Sequence, residues 1–270
     1  MTCPVSIARA KGWPVEEIGG AILINGDMRE VLPAINPRAD LVLSDPPYPL
    51  VSGGAGEGGP RGGALSSERY KNTGELFEMV PWGEMAPVMF DALAASGDVV
   101  VMSNDRQLFP CGAAMAAAGF RFHRVLVWHK RTVTPNRWYM PDCEFAWYGY
   151  KGRARVITRP GDKALAVMPQ RDVFHQFLGP DEAPHPTEKP VALMEHWLTN
   201  STDAGALVVD PFLGSGSVAV AAVRSGRRVI GIELEPVYFR GAVKRVRAAV
   251  DRRNWSYDES PASERQEVLL

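Results

Sequence analysis

The chain predicts an α/β fold built on a mostly parallel sheet, and three features of the sequence lead there. Short apolar runs alternate with windows of helical periodicity, seven such runs stand out, and two of them, at 121–129 and 145–150, follow one another with no helix between. Parallel neighbours need a crossover, usually a helix, so the uninterrupted pair is expected to be antiparallel and to lie at one edge of the sheet.

Taken in order, the first strand is expected at 21–25, and "INGDMREVLPAI" (24–35) carries it through Asp27 into an amphipathic helix. Leu41, Val42 and Leu43 make the second strand at 41–44, closed by an acid and two prolines in "LSDPPYPL". Apolar spacing then predicts a helix over 80–93, a strand at 99–103, a helix over 107–118 and the antiparallel pair. A helix over 189–198, a strand at 207–210, a helix over 218–224, a strand at 229–233 and a final helix over 237–252 complete the alternation. Two segments break it. "VSGGAGEGGPRGG" (51–63) holds seven glycines, which add chain entropy and bury no side chain, so 49–76 is expected to be a mobile glycine-rich loop. Residues 151–184 show only weak periodicity.

At 270 residues with 46% apolar composition, the chain suits a single domain spanning 1–270 with a sizeable core. A net charge of −1 neither demands nor excludes an anionic partner, so the distribution of charge matters more than its sum. Cys3, Cys111 and Cys143 are scattered and odd in number, with no C-x-x-C, which argues against a disulfide framework and against a zinc site. No apolar stretch approaches a membrane span and the first residues lack the apolar core of a signal peptide; a cytoplasmic protein is expected.

Four motifs carry chemistry. In "VVDPFLGSGSVAVAA" (208–222) an apolar strand ends at Asp210, and Gly214 and Gly216 let backbone amides approach a ligand at the start of a helix. A tight strand-to-helix turn with no ligand is the bland alternative. About 20 residues on, "VIGIELEP" ends a strand with Glu233, placed to hydrogen-bond a ribose diol. The turn is not G-x-G-x-x-G and no Walker lysine follows, which favours a nucleoside ligand without polyphosphate, such as S-adenosylmethionine. In "HPTEKP" (185–190), Thr187 and Lys189 suit the carboxylate of a methionine moiety, while the same residues equally suit a helix start; His185 is taken as structural. In "DPPY" (45–48), two prolines remove two donors and fix two φ angles beside Asp45, a rigid shelf that could also be a plain strand-ending turn. Asp27 is as well explained by an N-cap as by a ligand contact.

Together "DPPY", "HPTEKP", "DPFLGSG" and "GIELEP" resemble the motifs of DNA amino-methyltransferases that modify adenine N6 or cytosine N4, and their circularly permuted order, D-P-P-Y first, resembles the β-class of that family. The match spans roughly 21–240. The resemblance implies the S-adenosylmethionine-dependent methyltransferase fold, a seven-stranded mostly parallel sheet with one antiparallel edge strand. It also implies Asp45, Pro46, Pro47 and Tyr48 as the catalytic set. Around S-adenosylmethionine it implies Asp27, Asp45, Thr187, Lys189, Asp210, Phe212, Gly214, Ser215, Gly216 and Glu233. No metal is expected.

The D-P-P-Y chemistry follows from the substrate. An exocyclic amine is a poor nucleophile because its lone pair is delocalised into the base, so fixed acceptors must localise that pair. Asp45 and the Pro46 carbonyl can each accept one N–H, and Tyr48 can stack on a base flipped from duplex DNA, stacking being worth ~1–3 kcal/mol per base. For DNA contact, residues 121–163 hold ten Lys/Arg against Asp142, Glu144 and Asp162, a local excess of +7, with Lys130, Arg131, Arg137, Lys151, Arg153 and Arg155 as candidates. The aromatic residues Trp138, Tyr139, Trp147 and Tyr150 interleave with this run and read more readily as core than as stacking platforms. The run from Arg240 to Arg253 reads as a solvated helix face. The interval 151–184 is short for a target-recognition insertion, so recognition is expected to be shared with the 49–76 loop or a second subunit of a homodimer. Aspartate at the head of D-P-P-Y leans to adenine N6. Cytosine N4, an RNA or protein-glutamine substrate, and a non-catalytic DNA-binding role are the rivals.

Overall fold

Along 41–43, Leu41 and Leu43 join the apolar layer on one face of the sheet and Val42 joins the layer on the other, and all three are fully buried. The same period-two split recurs at Val99 and Val101 against Val100 and Met102, and at Ile230 and Ile232 against Val229. Strands that bury both faces need helices above and below, and the chain supplies them as a three-layer sandwich.

The computed structural model describes residues 3–48, 79–130, 142–157, 164–169 and 188–258. In chain order the elements are α1 (Pro4–Ala10), β1 (Val15–Ile18), β2 (Ala21–Asn25), α2 (Met28–Ile35), β3 (Ala39–Ser44), α3 (Trp82–Ala92), β4 (Leu93–Ser103) and α4 (Leu108–Ala117). These are followed by β5 (Arg121–His129), β6 (Cys143–Lys151), β7 (Val167–Pro169), α5 (Val191–Ser201), β8 (Leu207–Asp210), α6 (Ser217–Arg224), β9 (Arg228–Glu233) and α7 (Pro236–Asp258). One sheet joins all nine strands in the order β1-β2-β9-β8-β3-β4-β6-β5-β7. Helices α5, α6 and α7 cover one face and α1 to α4 the other. Helix α6 packs between sheet and helices, which is why Val218 to Val223 are buried all round.

The expected seven strands are all present, with two corrections. β1 ("VEEI") and β7 ("VMP") add an edge strand at each side; each is short, and acids in one and a proline in the other hide it from an apolar-run criterion. The antiparallel pair forms as expected, but β6 is inserted between β4 and β5 and runs against both, so this antiparallel strand is interior and β5 is parallel to β4; the antiparallel strand at an edge is β1, which runs against β2. Helix α1 was not anticipated, and β4 begins at Leu93, six residues earlier than its valine run, across "LAASGD". The expected loop 49–76 and most of 151–184 lie outside the described residues.

Two buried side-chain contacts join strands of the sheet. Ser44 Oγ, at the end of β3, donates to Asp210 Oδ1 at the end of β8 (2.8 Å) on the rim where the site will form, and at the other end of the sheet Tyr148 of β6 donates to Asp98 Oδ2 of β4 (2.8 Å). Asp210 is buried, and burial, only partly offset by Ser44 and the Phe212 amide, pushes its carboxyl up to about 7. On β6, a side chain at Gly149 would collide with the Trp147 indole and lie 2.6 Å from the Arg121 carbonyl oxygen.

Two stability measurements test this packing. Gly149→Ala is expected to destabilise by about 1–3 kcal/mol in urea unfolding, since neither a buried indole nor a strand carbonyl can move aside freely. Because the folded-state value of Asp210 lies above its unfolded one, its contribution is present in acid and lost as pH rises through about 7. Asp210→Asn keeps the acceptor for Ser44 and Phe212; it is therefore expected to gain on the order of 1–3 kcal/mol over the unaltered protein at pH 8 and little near pH 4.

Candidate active site

The parallel pairings bring together chain segments that are far apart in sequence. Asn25 pairs with Glu233, Asp210 with Gly231 and Val42 with Val209, so the carboxyl ends of β2, β9, β8 and β3 share one rim of the sheet. Crevices at such a rim are the ligand sites of open α/β sheets. Because β6 runs the other way, its beginning, not its end, reaches the same rim: Phe145 pairs with Ser103 at the end of β4.

Asp45 leaves β3 at this rim. Its Oδ2 accepts from Lys189 Nζ at 2.6 Å, whereas Oδ1 is buried and has no hydrogen-bond partner among the described residues. The same ammonium lies 3.4 Å from Glu144 Oε2, and the other oxygen of Glu144 accepts from Lys130 Nζ at 2.5 Å. Lys130, Glu144, Lys189 and Asp45 thus form a row of alternating charge. Burial pushes the Asp45 carboxyl up, with Lys189 pulling against it and Glu144 adding to the rise. Burial also works against the charge of Glu144, but Lys189 and Lys130 outweigh it and hold that carboxyl below its ordinary value. For Lys189, desolvation is overcome by Asp45 and Glu144, and the amine stays protonated well above its usual range. Pro46 is buried, Pro47 and Tyr48 are partly exposed, and burial pushes the Tyr48 phenol up despite Lys189, keeping it neutral.

The glycine turn sits beside this row. Gly214 and Gly216 have φ of 50° and 83°, left-handed values that side chains disfavour, and Gly216 caps α6. Glu233 Oε2 accepts the Gly214 amide at 2.7 Å and Oε1 the Glu235 amide at 2.9 Å; a carboxylate retains further lone pairs for a hydroxyl donor. Phe212 is half-buried and donates its amide to Asp210 Oδ1 (3.2 Å). Arg245 of α7 clamps the region: it donates to Ser215 Oγ (2.9 Å), to Ser217 Oγ (3.1 Å) and to Glu188 Oε1 (2.7 Å). Ser217 Oγ in turn donates to the Lys189 carbonyl at 2.7 Å. The "HPTEKP" segment is therefore tied to the glycine turn on one side and to Asp45 on the other.

The expected site residues have partners within the protein. Lys189, expected to suit a ligand carboxylate, is engaged with Asp45 and Glu144. Asp27 is the N-cap of α2, accepting from the Arg29 amide and guanidinium. Asp210 faces Ser44 and Phe212. Of the basic candidates, Lys130 lies at the rim, but Lys151, Arg153 and Arg155 do not: Lys151 pairs with Gly97 at the opposite end of the sheet. There its ammonium donates to the Phe90 and Leu93 carbonyls, and Arg155 pairs with Asp203. A hairpin folds consecutive charges to opposite ends of strands about 30 Å long, so the excess along the chain is not one patch. Trp147 is core, packed on Phe120 and Phe122. Arg245 departs from the expected solvated face. Thr187, Arg131, Arg137, Trp138 and Tyr139 lie outside the described residues. Glu144, counted in the sequence only as an opposing charge, and Arg245 are the residues missed. His129, Asp142 and Cys143 bring three potential metal-ligand atoms within 4.8 Å of one another. His129 already pairs with Asp142 (2.9 Å), and burial and Asp142 push the Cys143 thiol up to about 11, so the group reads as a hydrogen-bonded hairpin end.

The residues fit S-adenosylmethionine: an acid on backbone amides at a strand tip for ribose hydroxyls, and a left-handed glycine turn for close approach. Comparisons agree. The DNA methylase model N6_N4_Mtase matches residues 39–244. The chain is 27% identical over 249 residues to Type II methyltransferase M2.DpnII of Streptococcus pneumoniae, covering 84% of this chain and 90% of that protein. It shares its fold with the M1.HpyAVI–SAM complex (TM-score 0.63, 24% identity, 84% of this chain and 98% of that one). It likewise resembles the cytosine-N4-specific PvuII DNA methyltransferase (TM-score 0.62, 18% identity, 87% and 93%). The chain therefore belongs to the N6/N4 family of DNA methylases, enzymes that take their methyl group from S-adenosylmethionine.

Proposed function

We propose that this methyltransferase acts on the N6 amine of adenine in double-stranded DNA, with the target base flipped out of the duplex. The observation that carries the reading is Asp45 Oδ1: a buried acceptor without a partner among the described residues, next to a two-proline shelf and at the end of a strand that Ser44 ties to Asp210, the residue that leads into the glycine turn. A buried acceptor left unpaired is costly, which is understandable where a substrate donor completes it.

In this reading Asp45 Oδ1 and the Pro46 carbonyl accept the two amine protons and draw the nitrogen lone pair out of conjugation. Pro46 and Pro47 keep the acceptors from turning away. Tyr48, neutral and partly exposed, stacks on the flipped base and offsets part of the unstacking cost. When bound, S-adenosylmethionine supplies a sulfonium methyl as electrophile. Gly214, Ser215, Gly216 and Phe212 border it, with Thr187 alongside; Glu233 accepts from its ribose, and Asp27 and Asp210 hold the strand ends around it. After transfer the nitrogen releases one proton, for which no buried histidine is required. Lys130, with Arg131 and Arg137 after it in the chain, contacts DNA phosphates. The Type II relative supports a modification role alongside a restriction system. Aspartate at position 45 supports adenine over cytosine.

Transfer of radiolabel from S-adenosylmethionine to duplex DNA, followed by nucleoside analysis, is expected to yield N6-methyladenine; N4-methylcytosine as the product overturns the adenine assignment. Asp45→Ala is expected to lower transfer by ~10²-fold or more while S-adenosylmethionine binding by calorimetry stays within about tenfold of the unaltered protein. Label appearing in RNA and not in duplex DNA contradicts the substrate class.

A further inference from the structure

The row Lys130, Glu144, Lys189, Asp45 has an order that hydrogen bonding alone does not require. Each carboxylate offers one oxygen to Lys189, at 2.6 Å from Asp45 and 3.4 Å from Glu144, the second being an ion-pair distance. Glu144 gives its remaining oxygen to Lys130, whereas Asp45 keeps Oδ1 without a partner among the described residues. Lys189 cannot wander: its carbonyl is held by Ser217, the preceding Glu188 by Arg245, and its side chain is only 9% exposed.

We propose that Lys189 and Glu144 are positioning residues of the transfer: the ammonium, wedged between the two carboxylates, fixes Oδ2 of Asp45 and so presents Oδ1, ionised, to the target amine. This rests on the reading of Asp45 as the acceptor for that amine. It gives Lys189 a different task from binding the carboxylate of the methyl donor, and it gives Glu144 a task the motifs do not mention. Desolvation drives the Asp45 carboxyl towards its neutral form, and a neutral carboxyl is a poor acceptor for an N–H. Five titratable groups face it. Lys189, on the approach to α5, and Lys130, after β5, favour its charge; Glu144 of β6 opposes it, and the Tyr48 phenol and Asp210 at the end of β8 lie close by. Lys189 is the nearest cation and the one in direct contact. Glu144 repels Asp45 but aims the lysine at it.

Sign follows for each variant. Lys189→Met removes the cation, so the Asp45 carboxyl titrates at higher pH; Glu144→Gln removes a like charge, so it titrates at lower pH. Two readouts are taken on the full-length protein. The first is the pH profile of kcat for duplex DNA methylation with KM for S-adenosylmethionine. The second is the carbon-13 resonance of the Asp45 carboxyl in the free protein, assigned by its loss in Asp45→Asn. For Lys189→Met the acid limb of kcat and the resonance are both expected to move up by about one pH unit or more. Activity at pH 7 is expected to fall ~10²-fold, with KM for the donor within about threefold. Lys189→Arg is expected to restore part of the loss, and Glu144→Gln, which folds with less disturbance, to move the limb and the resonance down. An unmoved limb and resonance in both variants overturn the proposal. So does a Lys189→Met enzyme with unchanged kcat and a KM raised tenfold or more, which returns the lysine to donor binding. Failure of the functional reading looks different: the unaltered protein transfers nothing to DNA while the resonance still shifts as stated.

Discussion

A carboxylate at the end of a buried strand is the constraint around which the rest of this structure is arranged. Removing an ionised carboxylate from water costs several kcal/mol unless a partner compensates it, and here the partner is Lys189 at 2.6 Å from Asp45. The lysine is itself buried and so needs Glu144; Glu144 needs Lys130; and the backbone that carries the lysine needs Ser217, Glu188 and Arg245. Each group is tolerable only because the next one is present. The network leaves Asp45 Oδ1 without a hydrogen-bond partner among the described residues, and Glu144 Oε2 with only the ion-pair distance to Lys189; in the proposed reading it is Oδ1 that meets the substrate amine.

The sheet makes the network possible. Parallel strands finish on one rim, so residues following β2, β3, β8 and β9 become neighbours although some are separated by well over a hundred positions. Ser44 and Asp210 register two of those ends directly. The reversed strand β6 contributes from its beginning, which is how Glu144 arrives beside residues from strand ends. Helix α7 reaches back across the turn with Arg245, tying the last element of the fold to the segment before α5. The glycine turn and the D-P-P-Y shelf are thereby held in one body by contacts among described residues.

What could be read from the sequence divides along physical lines. Central strands, buried on both faces, are continuous apolar runs, so β3, β8 and β9 are visible as such, and the acids that end them mark the rim. Edge strands carry no such signature: "VEEI" is half polar and "VMP" is three residues long. The basic excess of 121–163 was legible as composition but not as a surface, because an antiparallel turn sends Lys130 to one end of the sheet and Lys151 to the other. Lys189 was visible as a functional cation, yet its partner depends on tertiary contact. Glu144 had only a faint signal, an acid opening the apolar strand "CEFAWYGYK"; Arg245 had none, since its helical spacing matches that of its solvated neighbours.

The account turns on where Asp45 Oδ1 points when a base is present. A crystal structure of the protein with duplex DNA and a non-reactive analogue of S-adenosylmethionine measures it directly. The expected result is a target base outside the helix, its exocyclic nitrogen within hydrogen-bond distance of Oδ1, about 2.7–3.2 Å, and Lys189 still on Oδ2. A flipped base whose amine is satisfied elsewhere, or a lysine that has left Asp45 for the carboxylate of the analogue, contradicts it.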